Sequence, residues 1–289
     1  MNRPILALLF FALACSQSSA TNPHAEHAAM PQASTNWAKD RLDRSPRHRE
    51  WVNVTAGNRT VSAFVVYPEV KNKATSVVLI HEIFGMSDWV QLEADEVAAA
   101  GYIAIAPDLL SGMGPKGGGS SDFAGDNNAI GKAIRDLPPD QITSDLNATA
   151  DYVSKLPAAN GKVAVAGFCW GGTQTFRFTT NRPSLSAAFV FYGQGPESAD
   201  AIAKINAPVY GFYAGNDARI GATVPKTQEM MKAAGKAYDI ASYEGAGHGF
   251  MRAGDAPEPA DPTERAAWAA NKKARDEAWS RWMSVLGNL

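Results

Sequence analysis

Gly167-Phe168-Cys169-Trp170-Gly171-Gly172 is the stretch that decides how this chain is read. An apolar, β-like run, Lys162-Val163-Ala164-Val165-Ala166, leads into it, and the helix-compatible Thr173-Gln174-Thr175-Phe176-Arg177-Phe178 follows. Strand, sharp turn and helix, with a reactive residue at the apex, make a nucleophile elbow, here with Cys where Ser is usual. The flanking glycines fit that geometry, because a strained apex needs neighbours without Cβ atoms if strand and helix are to approach closely. Taken alone, the hexapeptide equally suits a small buried hydrophobe, since free Cys is among the most buried residue types.

Working outward, the chain alternates strand and helix patterns. Glu50–Val54 and Val61–Tyr67 predict an opening antiparallel pair. The unbroken apolar run Ser76–Ile80 predicts a central strand covered on both faces. Trp89–Ala100 has helical spacing and ends at Gly101 as its C-cap. Further strands are expected over Tyr102–Ala106, Ala187–Tyr192, Val209–Ala214 and Tyr238–Tyr243, and helices over Ser144–Leu156 and Thr263–Leu286. The last helix is announced by Asp261 as N-cap, Pro262 at the first position and Glu264 at the third. This order predicts an α/β fold, a mostly parallel central sheet with helices on both faces. Ser111–Asp126, with six glycines, reads as a surface loop near the carboxyl ends of the strands.

The N-terminus reads differently. Asn2-Arg3, the apolar run Ile5–Ala14 and the small residues Ser18-Ser19-Ala20 predict a signal peptide over residues 1–20 and an exported, periplasmic protein. Ala12-Leu13-Ala14-Cys15 loosely resembles a bacterial lipobox. On that reading the leader is residues 1–14, and the protein meets a membrane only through lipidated Cys15. Residues 21–45 are polar, Ala-rich and aperiodic and are expected to be a flexible linker ahead of a catalytic domain over 46–289. A metal-binding tail at His24, His27 and Met30 is the competing reading of that linker; no metal or cofactor is expected in the domain. A net charge of −2 without a basic stripe gives nucleic acid no electrostatic footing. Beyond Cys15 the only thiol is Cys169, and an unpaired thiol in an oxidising compartment calls for a functional reason.

In open α/β sheets, functional groups gather at the carboxyl ends of strands. His81-Glu82, Cys169, Asp217 and His248 all follow predicted strands, and the last three run nucleophile, acid, base, the order of α/β-hydrolases. A lone Asp after a strand is ordinarily a turn former and a lone His in a Gly-rich turn ordinarily a loop residue; it is the joint arrangement that points to catalysis. His248 would take the thiol proton, and Asp217 would orient the imidazole and stabilise its charged form. The backbone N–H groups of Trp170 and Ile83 are the expected oxyanion donors.

His81-Glu82-Ile83-Phe84-Gly85, Gly101–Leu109, Gly167–Gly172 and Gly245-Ala246-Gly247-His248-Gly249-Phe250 together resemble the dienelactone hydrolase (carboxymethylenebutenolidase) family, from about residue 50 to the C-terminus. The resemblance implies an α/β-hydrolase fold, a Cys169–His248–Asp217 triad, and a Glu82 that contacts the nucleophile and helps control its protonation. It also implies that Arg252 binds a substrate carboxylate. The family's second carboxylate-binding Arg has no clear counterpart, Arg135 lying only in the same general region. Phe84 and Trp89 are expected beside the substrate, with Trp170 and Tyr192 as further lining candidates. The expected substrate is a small lactone or activated carboxylic ester. The alternatives are a general carboxylesterase or thioesterase on the same scaffold, and a non-catalytic exported protein binding a metal or partner through its tail.

Overall fold

Apolar runs become strands here because helices cover both of their faces. The computed structural model describes residues 35–289, apart from 124 and 255. Within them β3 (Ala74–Ile80), β4 (Ile103–Pro107) and β6 (Ala187–Phe191) are buried at every position. With β1 (Arg49–Ala56), β2 (Arg59–Val66), β5 (Ala159–Phe168), β7 (Val209–Ala214) and β8 (Tyr238–Tyr243) they form an eight-stranded sheet of order β1-β2-β4-β3-β5-β6-β7-β8. The β1–β2 and β2–β4 pairs are antiparallel, and every later pair is parallel. The expected α/β-hydrolase architecture is therefore present.

Successive residues of β3 point into different cores, as the period of two requires. Val77 and Leu79 join the layer built by α2 (Asp88–Ala99) and α9 (Pro262–Leu286), with Leu92 and Trp282 fully buried there. Val78 and Ile80 join the opposite layer, made by α3 (Asn127–Arg135), α4 (Pro139–Ser154), α5 (Trp170–Thr179), α6 (Ala199–Ala203) and α8 (Val224–Ala233). Helix α9 starts as its sequence predicts. Asp261 Oδ1 accepts from the Thr263 N–H at 2.8 Å, and Pro262 occupies the first position. Helix α4 begins at Pro139, earlier than the expected Ser144, because proline is pre-organised for the first turn and its missing N–H costs nothing there.

The linker expectation needs correction in its second half. Residues 35–43 form a helix, α1 (Thr35–Asp43), with Ala38 and Leu42 buried. Charge anchors it to α2. Arg41 pairs with Glu96 at 2.6 Å, and just beyond the helix Arg47 takes Asp95 in a two-pronged grip, 3.0 Å from Nε and 2.6 Å from Nη2. The expected leader, Cys15, and the His24, His27 and Met30 tail lie outside the described residues. Among the described residues no helix is long and apolar enough to cross a membrane, and no group of His, Cys, Asp and Glu could hold a metal ion.

The Gly-rich segment is mostly turns, with one 3₁₀ turn at Ser120–Phe123. It is pinned rather than loose. Ser120 donates through its N–H and its hydroxyl to the two oxygens of Asp108, both at 2.7 Å, and its hydroxyl accepts the Met86 N–H at 3.1 Å. That places the segment beside the loop that follows β3.

Candidate active site

Strand β5 ends at Phe168, and the chain must reverse within one residue to start α5. Cys169 does so with φ 56° and ψ −117°, a conformation that L-residues adopt only under strain. Its N–H donates to Phe191 O at 3.1 Å and its carbonyl accepts from Thr173 N at 3.2 Å, which holds the apex against β6 and within the first turn of α5. Glycine is required at position 171. A Cβ there would run into the carbonyl oxygens of Ile80 and His81, so the absent side chain is what lets the start of α5 rest on the end of β3. The two N–H groups expected to act as oxyanion donors belong to the segments on either side of that contact. That of Trp170 opens α5 and has no acceptor within the helix, and that of Ile83, on the loop after β3, makes no hydrogen bond among the described residues.

Asp217 follows β7 and caps the short helix α7 (Ala218–Gly221), Oδ1 accepting from Ile220 N at 3.1 Å. Its other oxygen lies 2.5 Å from His248 Nδ1. Burial alone would push the Asp217 carboxyl pKa up, but hydrogen bonds from His248 and Ile220 and the neighbouring positive charge outweigh it and leave the pKa below its ordinary value. The glycine-rich turn that carries His248 is tied on both sides. Asn216 N donates to Ala246 O at 2.9 Å, and Gly247 N to Asn271 Oδ1 of α9 at 2.8 Å. The neighbouring Cys169 acts on the imidazole as well, favouring its charged form. Burial works against that form, yet Asp217 and Cys169 win, raising the His248 pKa to about 9. Imidazole and carboxylate, 31 positions apart in the sequence, thus pair beyond the carboxyl ends of β7 and β8, while Cys169 stands at the carboxyl end of β5.

Glu82 is tied to Arg252. It is 2% exposed, and Oε2 accepts from Arg252 Nη1 at 3.2 Å; it makes no hydrogen bond to Cys169. A carboxylate taken this far from water needs a cation, and Arg252, on the 3₁₀ turn Phe250–Ala253 just past His248, supplies it. The guanidinium also lies over the Phe84 ring, 5.3 Å from its centroid. Arg252 is therefore inside the site, held by Glu82 and Phe84. His81 is fully buried, its Nδ1–H donating to Glu82 O at 2.8 Å while Nε2 accepts from Leu109 N at 3.4 Å, and burial lowers its pKa. This neutral ring stacks 5.7 Å from Trp170 and fixes the backbone that carries Glu82. Trp89 contributes more to the core than to a substrate surface, being 8% exposed and packed edge-on against Phe168 at 5.0 Å. Arg135 is exposed on α3.

Two residues near the site carried little local signal. Tyr192 follows β6 with φ 41°, is fully buried, and sets its ring 5.0 Å from that of His248. Its hydroxyl has no hydrogen-bond partner among the described residues, and burial foremost, with the charge of Glu82, raises its pKa well above the ordinary value. Glu93 of α2 is 2% exposed, with Oε1 unpartnered among the described residues; burial, reinforced by Glu96, pushes its pKa up to about 8. Alternation in β6 explains Tyr192 only as core, and the charge of Glu93 argues for solvent even though its spacing from Trp89 and Val97 puts it on the buried face of α2.

A sequence model of the dienelactone hydrolase family matches residues 61–289. The chain belongs to that family. A provisionally named carboxymethylenebutenolidase of Methylorubrum extorquens is 29% identical over 210 residues, 69% of this chain and 71% of the relative. One from Yersinia pestis is 32% identical over 184 residues, 60% of this chain and 67% of the relative. A crystal structure of a provisionally named dienelactone hydrolase from Klebsiella pneumoniae superposes with a TM-score of 0.70 at 24% identity, covering 84% of this chain and 99% of the other. A dienelactone hydrolase-like promiscuous phosphotriesterase from metagenomic libraries gives 0.66 at 22% identity, covering 84% and 98%. At those identities the two structures speak for the fold. Membership in the family makes this chain a carboxymethylenebutenolidase-like hydrolase acting on a small molecule.

Proposed function

We propose that the protein hydrolyses a lactone or activated carboxylic ester with Cys169 as nucleophile, His248 as acid and base, and Asp217 as the group that orients the imidazole. One observation carries the reading: an imidazole bonded through Nδ1 to Asp217 at 2.5 Å, with its pKa raised by Asp217 and by the Cys169 thiol of the strained elbow. The raised His248 pKa suits the imidazole to take up a proton when the sulfur attacks. The thiolate attacks the carbonyl carbon, and the π electrons move onto oxygen, which the Trp170 and Ile83 N–H groups stabilise. Collapse breaks the carbon–oxygen bond, and the leaving alkoxide takes the proton from His248. Water, deprotonated by His248, then cleaves the thioester and returns the thiol.

Glu82 and Arg252 add control. A substrate carboxylate competes with Glu82 for Arg252, and the released Glu82 bears on the protonation of Cys169. Export is part of this reading, with residues 1–20 as the leader; mass spectrometry of the mature N-terminus decides between cleavage there and a lipid on Cys15.

Cys169→Ala tests the core of the proposal. Turnover of aryl esters and unsaturated lactones should fall at least about a thousandfold with circular dichroism unchanged. Retention of most activity would overturn the assignment. Cys169→Ser, harder to deprotonate, should lose about a hundredfold or more. A serine variant of full activity would remove the need for a thiol.

A further inference from the structure

Trp37, on α1 and ahead of the residues that the family model matches, reaches the turn that carries Arg252. A Cβ placed on Gly254 would stand 2.5 Å from Trp37 Cη2 and 3.3 Å from Cζ2 and Cζ3. The indole therefore lies flush against the backbone that closes the Phe250–Ala253 turn. Gly254 has φ 36° and ψ −126°, a backbone that only glycine adopts readily, so the turn ends in a conformation with little intrinsic preference of its own. Such a turn keeps its shape only if its surroundings impose it.

The helix that presents Trp37 is itself fixed by other residues. Arg41 and Arg275 of α9 both pair with Glu96, and Ser45 and Arg47 both bond Asp95, carboxylates that are 7% and 2% exposed. Ala38 and Leu42 bury the apolar side of α1. The ion pairs place the helix, and the indole conveys that placement to the Arg252 turn.

We propose that Trp37 is a positioning residue for Arg252 and sets the preference of the enzyme for esters that carry a carboxylate. The proposal rests on the reading of Arg252 as the group that receives that carboxylate. It makes the N-terminal helix part of the specificity apparatus. Without the indole, the Gly254 end of the turn relaxes, and the guanidinium loses its register between Glu82 and Phe84. A charge-assisted contact to a substrate carboxylate weakens, while attack on a neutral ester, which does not use Arg252, proceeds as before.

The test measures kcat and KM for a neutral aryl ester and for an aryl ester whose acyl chain ends in a carboxylate. Full-length wild type, Trp37→Ala, Trp37→Phe, Leu42→Ala and Arg252→Gln are compared, with thermal melts alongside. Trp37→Ala should raise KM for the anionic ester about tenfold, as expected from weakening one charge-assisted hydrogen bond, with kcat and the neutral ester little changed. Trp37→Phe, which keeps a flat ring, should restore most of the preference. Leu42→Ala should lower the melting temperature and leave the anionic-to-neutral ratio alone. If Trp37→Ala leaves that ratio unchanged while Arg252→Gln shifts it, the proposal fails and the Arg252 reading stands. If Leu42→Ala shifts the ratio as much as Trp37→Ala does, Trp37 has only a structural part and the proposal fails. If Arg252→Gln does not move the ratio, the Arg252 reading falls and the proposal with it.

Discussion

His248 and Glu93 both bind a proton more tightly in the folded chain than in the unfolded one, and pH separates them. The His248 pKa rises from 6.5 to about 9, so the stability it contributes is complete below the unfolded value and is lost as pH climbs through about 9. Asp217→Asn removes the main cause, and its melting temperature should fall less steeply over that window than that of the wild type. Glu93 rises from 4.5 to about 8, so its window starts lower and ends near pH 8. Above it the chain must either ionise a carboxyl that is 2% exposed or hold a proton against solvent. Glu93→Gln should therefore melt higher than wild type at about pH 9 and gain little at about pH 5. Equal gains at both would mean that Glu93 does not titrate in the folded protein. Neither behaviour was legible in the sequence. His248 stood out by its glycine-rich turn and its place after a strand, but a pKa depends on what the fold brings near. The pairing of Glu82 with Arg252, 170 residues apart, likewise has no local trace.

At the level of elements, the junction between α5 and β3 matters most, because the two expected oxyanion donors belong to the segments on either side of it. Gly171→Ala puts a methyl group against two backbone carbonyls that have no flexible end to move aside. The cost should be about 1–3 kcal/mol of stability, with a fall in kcat that exceeds any rise in KM, since the donors act on charge that develops during the reaction. Unchanged kcat in a folded Gly171→Ala enzyme would place the donors elsewhere. The central strands were readable because fully covered strands must be uninterruptedly apolar: β3 and β6 are buried at every position, and Ser76–Ile80 and Ala187–Tyr192 are the runs their sequences predict. Helices with thin apolar stripes were not. Helix α8 buries only Val224, Thr227 and Met231, and α3 only Ile130, Gly131 and Ile134, too few to rise above a loop. Helix α1 was hidden for another reason, since much of what holds it is charge on α2, some 50 positions away.

For the whole molecule, that charge is an anchor. Arg47→Ala strands the buried Asp95 carboxylate and should cost about 3 kcal/mol, read as a lower denaturant midpoint at unchanged slope. Asp95→Asn in the same background should return part of the loss, and a double variant no better than the single one would show that the pair is not what fixes the segment. The overall topology was legible from the alternation of elements alone. Which distant segments clasp one another was not, because that follows from three-dimensional closure rather than from any window of residues. The tie from Gly247 to Asn271 of α9 has a consequence for the order of events during synthesis. Cys169 emerges from the ribosome well before His248, and the histidine turn is braced by a helix made later still. On the proposed mechanism, until that helix docks the sulfur has no base held beside it, so a nascent or nicked chain would carry the proposed nucleophile without the means to use it.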